Sequence, residues 1–400
     1  MKVFIITDEP FPNGMAATSR IKCYARAIKK GGLDCEVLIF HRTERYGIHP
    51  KNTEGIGTFG EGIPFRFIGG TPLRSNNVLT RKFYDFLDIW RTEKYLRHNM
   101  QNGDVLFLYM GKNVKLMLRF MTVAHTKGAY CVRDLCELPY GTKVNDEKAI
   151  YQRKIIFDKQ FPLLDGVVCI SDTLLNIAKT YTLPKCKYIK IPILVDFEQF
   201  YLPNHSSEAE FPYIFHAGTL YEQKDGILGM VEAFGKASIL LRKNVHFITT
   251  GNLDDSPHKN EINRLIKQYR LNEKLLFAGY LSDLELKDYL SKAAMVIINK
   301  YSTQQNNYCF STKLGEYLAA AKPVIITNVG EAMNWLTDNK NAYIVEPEDT
   351  EELSKVIFHV FSNPDEANQI GIEGQKLCQR CFDYQVWSRP IVDFMIQLAK

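Results

Sequence analysis

The sequence predicts an α/β protein: two doubly wound, parallel-sheet domains joined near residue 195. Two observations carry this. Short β-branched and aromatic runs alternate with helical patterns from end to end, and parallel strands need such long crossovers. The alternation breaks once, in "PKCKYIKIPILVDFEQFYLPNHSSEAEF" (184–211), where a strand gives way to a polar stretch with Pro, Asn and Ser, and then restarts.

In order, "KVFIIT", "CEVLIF", "DVLFLYM", "AYCVRDL" and "GVVCIS" read as strands, with helical patterns such as "SRIKCYARAIKK" and "VKLMLRFMTVAHTKG" between them. After the break come "YIFHAG", "VHFITTG", "LLFAGY", "AMVIIN", "PVIITN" and "AYIVEP", each followed by a helical pattern. The expected domains are 1–190, 191–375 and a C-terminal helical segment, 376–400, packing back on the first domain. Ligands of such sheets sit beyond the carboxyl ends of the strands.

Apolar residues make up 46% and charged residues 24%, enough for two cores. The opening "MKVFIITDEP" is too short and wrongly flanked for a signal peptide, and no apolar stretch approaches the ~20 residues of a membrane span. Nine scattered cysteines argue against a disulfide framework; "CQRC" (378–381) has metal-like spacing but no second pair, so no metal site is expected. The expected location is cytoplasmic, with the inner face of a membrane as an option. Residues 1–200 hold 30 Lys/Arg against 20 Asp/Glu, a balance of +10; residues 201–400 hold 20 against 25, a balance of −5. A basic half attracts phosphates or anionic lipid, and equally fits a plain solvated surface. A nucleic acid partner is not expected.

The stretch "FSTKLGEYLAAAKPVI" (310–325) lies between two apolar runs. It reads as a short helix opening with Ser311, Thr312 and Lys313, with Glu316 one turn in. Phosphate oxygens suit free N–H groups and a nearby ammonium, and a carboxylate accepts hydrogen bonds from a diol such as ribose. Capping by Ser/Thr and tight packing by Ala explain the same letters. In "HAGTLYEQKDGI" (216–227) a strand ends at Gly218 and a loop carries Lys224; a solvated lysine is the plainer alternative. "TTGNL" and "FAGYL" each end a strand in glycine, Gly251 and Gly279, where a nucleobase could rest; Tyr280 is either an aromatic wall or a core residue. In the first half, "TDEPFPNGMAATSRI" (7–21) runs from a strand into a loop with Gly14, without the GxGxxG of dinucleotide folds.

Taken together, these motifs resemble the retaining glycosyltransferases of GT-B fold related to sucrose and glycogen synthases, the family 4 type. "IPILVDFEQF" (191–200) is similar to the family's I-P-N-G-V-D-x-x-x-F segment, "GTLYEQKDGI" to its G-R-L-x-x-x-K-G loop, and "KLGEYLAAAKPVI" to its L-E-A-M-A-C-G-K-P-V-I block. The resemblance covers nearly the whole chain and is stronger in the second half.

It implies a GT-B architecture, two Rossmann-like domains facing across a cleft, and a metal-independent, hexosyltransferase-type enzyme with no cofactor. A nucleotide-diphosphate-sugar is the implied co-substrate and a glycan or lipid-linked molecule the implied acceptor, as in surface polysaccharide or glycoconjugate synthesis. Lys224 would bind the donor diphosphate and Glu316 the ribose. Ser311 and Thr312 would meet the phosphates, Gly279 and Tyr280 would border the base, and Gly14 would lie against the diphosphate from the other domain; Gly218, Thr219, Gly251, Tyr308 and Lys313 complete the donor set, with Lys224 and Glu316 as the expected catalytic residues. Where the family has Arg, this chain has Thr219, and Lys313 is the candidate replacement cation. The family's first Glu, eight positions before Glu316, is Tyr308, and its Gly before K-P-V is Ala321. The first domain's usual His is missing from "LYMGKN" (108–113), leaving Asp134 and Glu137 as acceptor-side acids, with loop capping as their alternative. Thr219 and Tyr308 also keep open a weakened sugar-nucleotide-binding protein, or an epimerase or hydrolase of nucleotide sugars.

One segment lies outside these motifs. In "RKFYDFLDIWRTEKYLRHN" (81–99), Phe83, Phe86, Leu87 and Trp90 are spaced for one helix face among Arg81, Lys82, Arg91, Lys94 and Arg97. Such a helix lies on an anionic bilayer, or turns its aromatics to a protein core.

Overall fold

The computed structural model describes residues 1–400 except 46–49, 111, 112, 142, 144, 145, 202–208 and 242. Part of "LYMGKN" and part of the polar break therefore lie outside the described residues. The chain divides into two compact units, 1–195 with 384–400, and 196–383.

Among the described residues the first unit holds ten strands: β1 (Lys2–Thr7), β2 (Asp34–Ile39), β3 (Glu44–Arg45), β4 (Ile56–Phe59), β5 (Ile63–Phe67), β6 (Leu73–Arg74), β7 (Val105–Tyr109), β8 (Tyr130–Leu135), β9 (Gly166–Cys169) and β10 (Lys187–Lys190). Eight form one sheet in the order β10-β9-β8-β7-β1-β2-β5-β4, and β3 pairs with β6. All neighbours in the large sheet are parallel except β4 and β5. β7 and β9 are buried at every position, which is why they read as unbroken apolar runs. The helix Ala16–Lys30 covers one face through Ile21, Tyr24 and Ile28.

The second unit holds β11 (Tyr213–His216), β12 (His246–Thr249), β13 (Leu275–Phe277), β14 (Met295–Ile298), β15 (Val324–Thr327) and β16 (Tyr343–Val345). They form one wholly parallel sheet, β13-β12-β11-β14-β15-β16. Strand order reverses between β11 and β14, and at such a switch point the loops diverge to opposite faces and leave a crevice.

The chain re-enters the first unit at Tyr384, later than residue 376. The helix Pro364–Cys381 packs on the second unit instead: Cys378 Sγ lies 3.3 Å from Gly315 O, and Gln375 donates to Ala319 O at 2.7 Å. Only the last helix, Ser388–Gln397, joins the first core, through Ile391, Val392, Phe394 and Met395.

Candidate active site

The crevice of the second sheet is lined by residues that end its two central strands. β11 ends at His216 and β14 leads into Asn299 and Lys300. After His216 the backbone is pinned in three steps. Ala217 N donates to Tyr317 Oη at 2.8 Å, Gly218 N donates to Thr250 Oγ1 at 2.8 Å, and Thr219 donates both N and Oγ1 to Asp225 Oδ2 at 2.8 and 2.7 Å. A Cβ on Gly218 would stand 2.1 Å from His216 Nε2, so only glycine lets the loop cross this ring.

His216 is buried. Its Nδ1 lies 2.9 Å from Ile297 O, which can only accept, so Nδ1 carries the proton. Burial first, then the charge of Lys313, pull the imidazole down to about 4, so it is neutral at physiological pH. Its Nε2 is an unprotonated acceptor with no hydrogen-bond partner among the described residues.

Lys313 pairs with the Asp225 carboxylate, and Lys300 and Lys224 stand close enough to Lys313 to feel its charge. Lys313 Nζ lies 2.5 Å from Asp225 Oδ1. Lys300 Nζ donates to Lys224 O at 3.0 Å. Burial and then the neighbouring Lys313 lower Lys300 to about 8. Burial alone would raise the Asp225 carboxyl, but Lys313 and the Thr219 bonds outweigh it and hold it well below the usual range. Lys224 itself is exposed, in the last turn of the short helix Glu222–Asp225. With Asp225 ionised, the cluster keeps a positive excess.

The helix Lys313–Ala319 carries Glu316 in its first turn, half-buried. Burial pushes the carboxyl up to about 7, against the pull of Lys313 and with a smaller push from Asp283. Ser311 and Thr312 are half-buried before it, and no side chain caps the helix. Capping therefore does not account for Thr312. Ala321, just after the helix, has φ 55°, in the left-handed region.

Gly251 and Gly279 meet: Gly251 N donates to Gly279 O at 2.8 Å, and both have positive φ. Tyr280 beside them is 79% exposed, so it is not a core aromatic. Tyr308 ends the one-turn helix Gln304–Tyr308 and is half-buried.

In the first unit, Gly14 lies in the loop after β1, where a Cβ would collide with Thr18 Oγ1 at 2.0 Å; Asn52 clasps Asn13 on both sides, at 2.8 Å each. Asp134, near the end of β8, is buried, taking Tyr24 Oη at 2.6 Å and Arg20 at 3.4 Å. Glu137 is exposed nearby. Glu9 is raised above the ordinary glutamate value by burial, then by Asp8 and Glu137. The group His125, Cys131 and Asp165 also lies in this unit, with ligand atoms within 4.8 Å of one another. Its Asp165 is held there by His125 at 3.0 Å, Cys131 N at 2.9 Å and Lys185 at 3.5 Å.

The structure brings Lys224, Glu316, Gly218, Thr219 and Lys313, all expected from the sequence, to one sheet edge, and adds His216, Asp225 and Lys300 beside them, with Glu9 in the first unit; these four were not expected. The available signals were a polar pair, Asn299–Lys300, directly after an apolar strand, and Asp225 standing between Lys224 and Gly226 where the similar loop has K-G.

Comparison with known proteins agrees with the fold. Residues 198–377 match the family model of Glycosyl transferases group 1. No curated protein matches the chain. Among solved structures, a sucrose-phosphate synthase from Thermosynechococcus elongatus superposes with TM-score 0.73 at 15% identity, covering 100% of this chain and 99% of that one. Anabaena HepE in complex with UDP-glucose gives 0.67 at 14% identity, covering 100% and 98%. A point mutant of S. aureus TarM, in complex with fondaparinux, alpha-GlcNAc-glycerol and UDP, gives 0.70 at 11%, covering 100% and 99%. The chain has the GT-B fold, and the group 1 domain together with this fold supports a sugar-transferring glycosyltransferase. No helix among the described residues is long and apolar enough to cross a membrane.

Proposed function

We propose that the protein transfers a sugar from a nucleotide-diphosphate-sugar to a glycan or lipid-linked acceptor, with retention of configuration and without a metal ion. The observation that carries this reading is the lysine cluster at the switch point: Lys313 on the Asp225 carboxylate, and Lys300 on the backbone carbonyl of Lys224. A positive excess at pinned backbone fits a diphosphate. HepE and TarM carry UDP, so uridine is the first base to try.

In the reaction, the bond from sugar C1 to the diphosphate oxygen breaks, and the acceptor oxygen bonds to C1 as its hydroxyl loses a proton. Lys224 and Lys300 stabilise the charge growing on the diphosphate, and fixed cations cost no reorganisation at that moment. Glu316 accepts the ribose hydroxyls. Gly279 and Tyr280 border the base, Ser311 and Thr312 meet the phosphates, and Gly14, with Asp134 and Glu137, belongs to the acceptor-side unit. Surface polysaccharide or glycoconjugate synthesis is the process this chemistry suits.

Calorimetry with UDP tests the site. Glu316→Ala should weaken binding by roughly 1–3 kcal/mol, the cost of leaving the diol without its charged acceptor; unchanged affinity removes Glu316 from the site. Lys224→Ala should lower kcat by about 2.7–4 kcal/mol of transition-state stabilisation while leaving donor affinity nearly intact. Donor consumption with and without acceptor separates transfer from hydrolysis or epimerisation, and full activity in excess chelator is expected.

A further inference from the structure

The helix Val78–Asn99 is built inside out. Its buried side is polar over most of its length: Asp88, Thr92 and Leu96 are its buried residues. Asp88 receives Arg42 at 2.9 Å and Arg91 at 3.1 Å, and Tyr95 Oη donates to Glu36 at 2.7 Å. Four apolar residues face away, while Leu87, expected on the same face, is half-buried. Leu79 is 79% exposed, Phe83 62%, Phe86 65% and Trp90 49%. Steps of four, three and four residues put them on one stripe about three turns long. The core-facing alternative for these aromatics is not what the structure has.

The charges are sorted in the same way. All three acidic residues of the helix have partners: Asp85 lies 3.5 Å from His41, Asp88 has its two arginines, and Glu93 lies 2.6 Å from Arg119. Lys82, Lys94 and Arg97 are exposed, and among the described residues no carboxylate pairs with them. Lys94 Nζ lies 5.4 Å from the Trp90 ring centroid, level with the stripe.

We infer that this helix face is the surface by which the protein lies on an anionic lipid bilayer. A convex stripe of Leu, Phe and Trp enters the headgroup boundary, while flanking ammonium and guanidinium groups reach lipid phosphates. The net positive rim selects an acidic surface over a neutral one. The inference is independent of the donor site, since it uses no residue of the second unit.

Sedimentation of the full chain with vesicles tests it, using phosphatidylcholine alone and phosphatidylcholine mixed with phosphatidylglycerol, at low and high salt. Binding is expected only to the mixed vesicles at low salt. Lys82→Glu/Lys94→Glu/Arg97→Glu should weaken it by about tenfold or more, as loss of several surface cations does. Phe83→Ser/Phe86→Ser should do the same, while both variants keep the wild-type melting temperature and the UDP-induced thermal shift, if UDP binds. Absence of binding to mixed vesicles, or equal binding to neutral ones, overturns the inference. So does a dimer in sedimentation velocity that Phe83→Ser/Phe86→Ser dissolves, because a second copy would then be the occupant.

Discussion

Lys313 Nζ stands 2.5 Å from Asp225 Oδ1, and the carboxylate's other oxygen takes both the N–H and the hydroxyl of Thr219. A cation 88 positions along the chain is thus tied to the loop after β11. Where the similar loop has Arg, Thr219 holds a carboxylate that in turn holds a lysine. The lysine is paired with a carboxylate, so this corner is closed by an ion pair.

The pair should show strong coupling. Asp225 is buried, and removing one partner of a buried pair typically costs about 3–5 kcal/mol because the other is left unpaired. Asp225→Asn and Lys313→Met should each destabilise by up to about 3 kcal/mol, at the low end because the lysine is partly exposed. The double variant should lose much less than the sum of the two. Urea unfolding of all four proteins measures this, and simple additivity would dissolve the pair. Since Asp225 is depressed from its ordinary 3.8, its contribution is fully present above that pH and is lost as pH falls toward the lower folded value.

Donor affinity should peak in a narrow pH window. Glu316 titrates at about 7 and accepts ribose hydroxyls best as a carboxylate, so affinity rises with pH through that value. Lys300 titrates at about 8 and attracts diphosphate only while protonated, so affinity falls above it. UDP titrations on either side of these two values should show both limbs. Glu316→Gln should flatten the rising limb and Lys300→Met the falling one. A profile unchanged in either variant assigns that limb elsewhere.

The sheets were legible in the sequence because parallel strands buried on both faces leave unbroken apolar runs, as in β7 and β14. Lys224 and Glu316 were legible because each sits in a motif continuous along the chain. Asp225, Lys300 and His216 were not: local signals mark Asp225 and Lys300 singly, but the three meet only at the reversal of strand order between β11 and β14. The helix Val78–Asn99 shows the limit of periodicity. Spacing places Phe83, Phe86 and Trp90 on one face, but says nothing of which way that face turns, and here buried Asp88 with its two arginines takes the inner side.

Ala321 carries a correctable strain. Its φ of 55° brings Cβ toward the following carbonyl, a conformation that costs a non-glycine residue roughly 1–2 kcal/mol. Ala321→Gly should therefore stabilise the protein by about 1 kcal/mol, less than the full strain because glycine loses more chain entropy on folding. Chemical denaturation gives the number. A destabilised variant would mean that the Ala321 methyl packs better than its backbone angle is strained.

Gly218 should be the least replaceable residue of the loop. A Cβ there would lie 2.1 Å from His216 Nε2 and 2.7 Å from Cδ2. The ring cannot step aside, since it is buried and its Nδ1–H is committed to Ile297 O at 2.9 Å. The backbone must move instead, and the bonds from Gly218 N to Thr250 and from Thr219 to Asp225 go with it. Gly218→Ala should destabilise by about 1–3 kcal/mol, the usual cost of overpacking, and should weaken UDP binding at the same time. Adding His216→Ala removes the obstructing ring, so the double variant should recover UDP affinity lost by Gly218→Ala alone. Calorimetry on both variants decides: no recovery in the double variant would show that Gly218 is needed for room on its ligand side, not for clearance over His216.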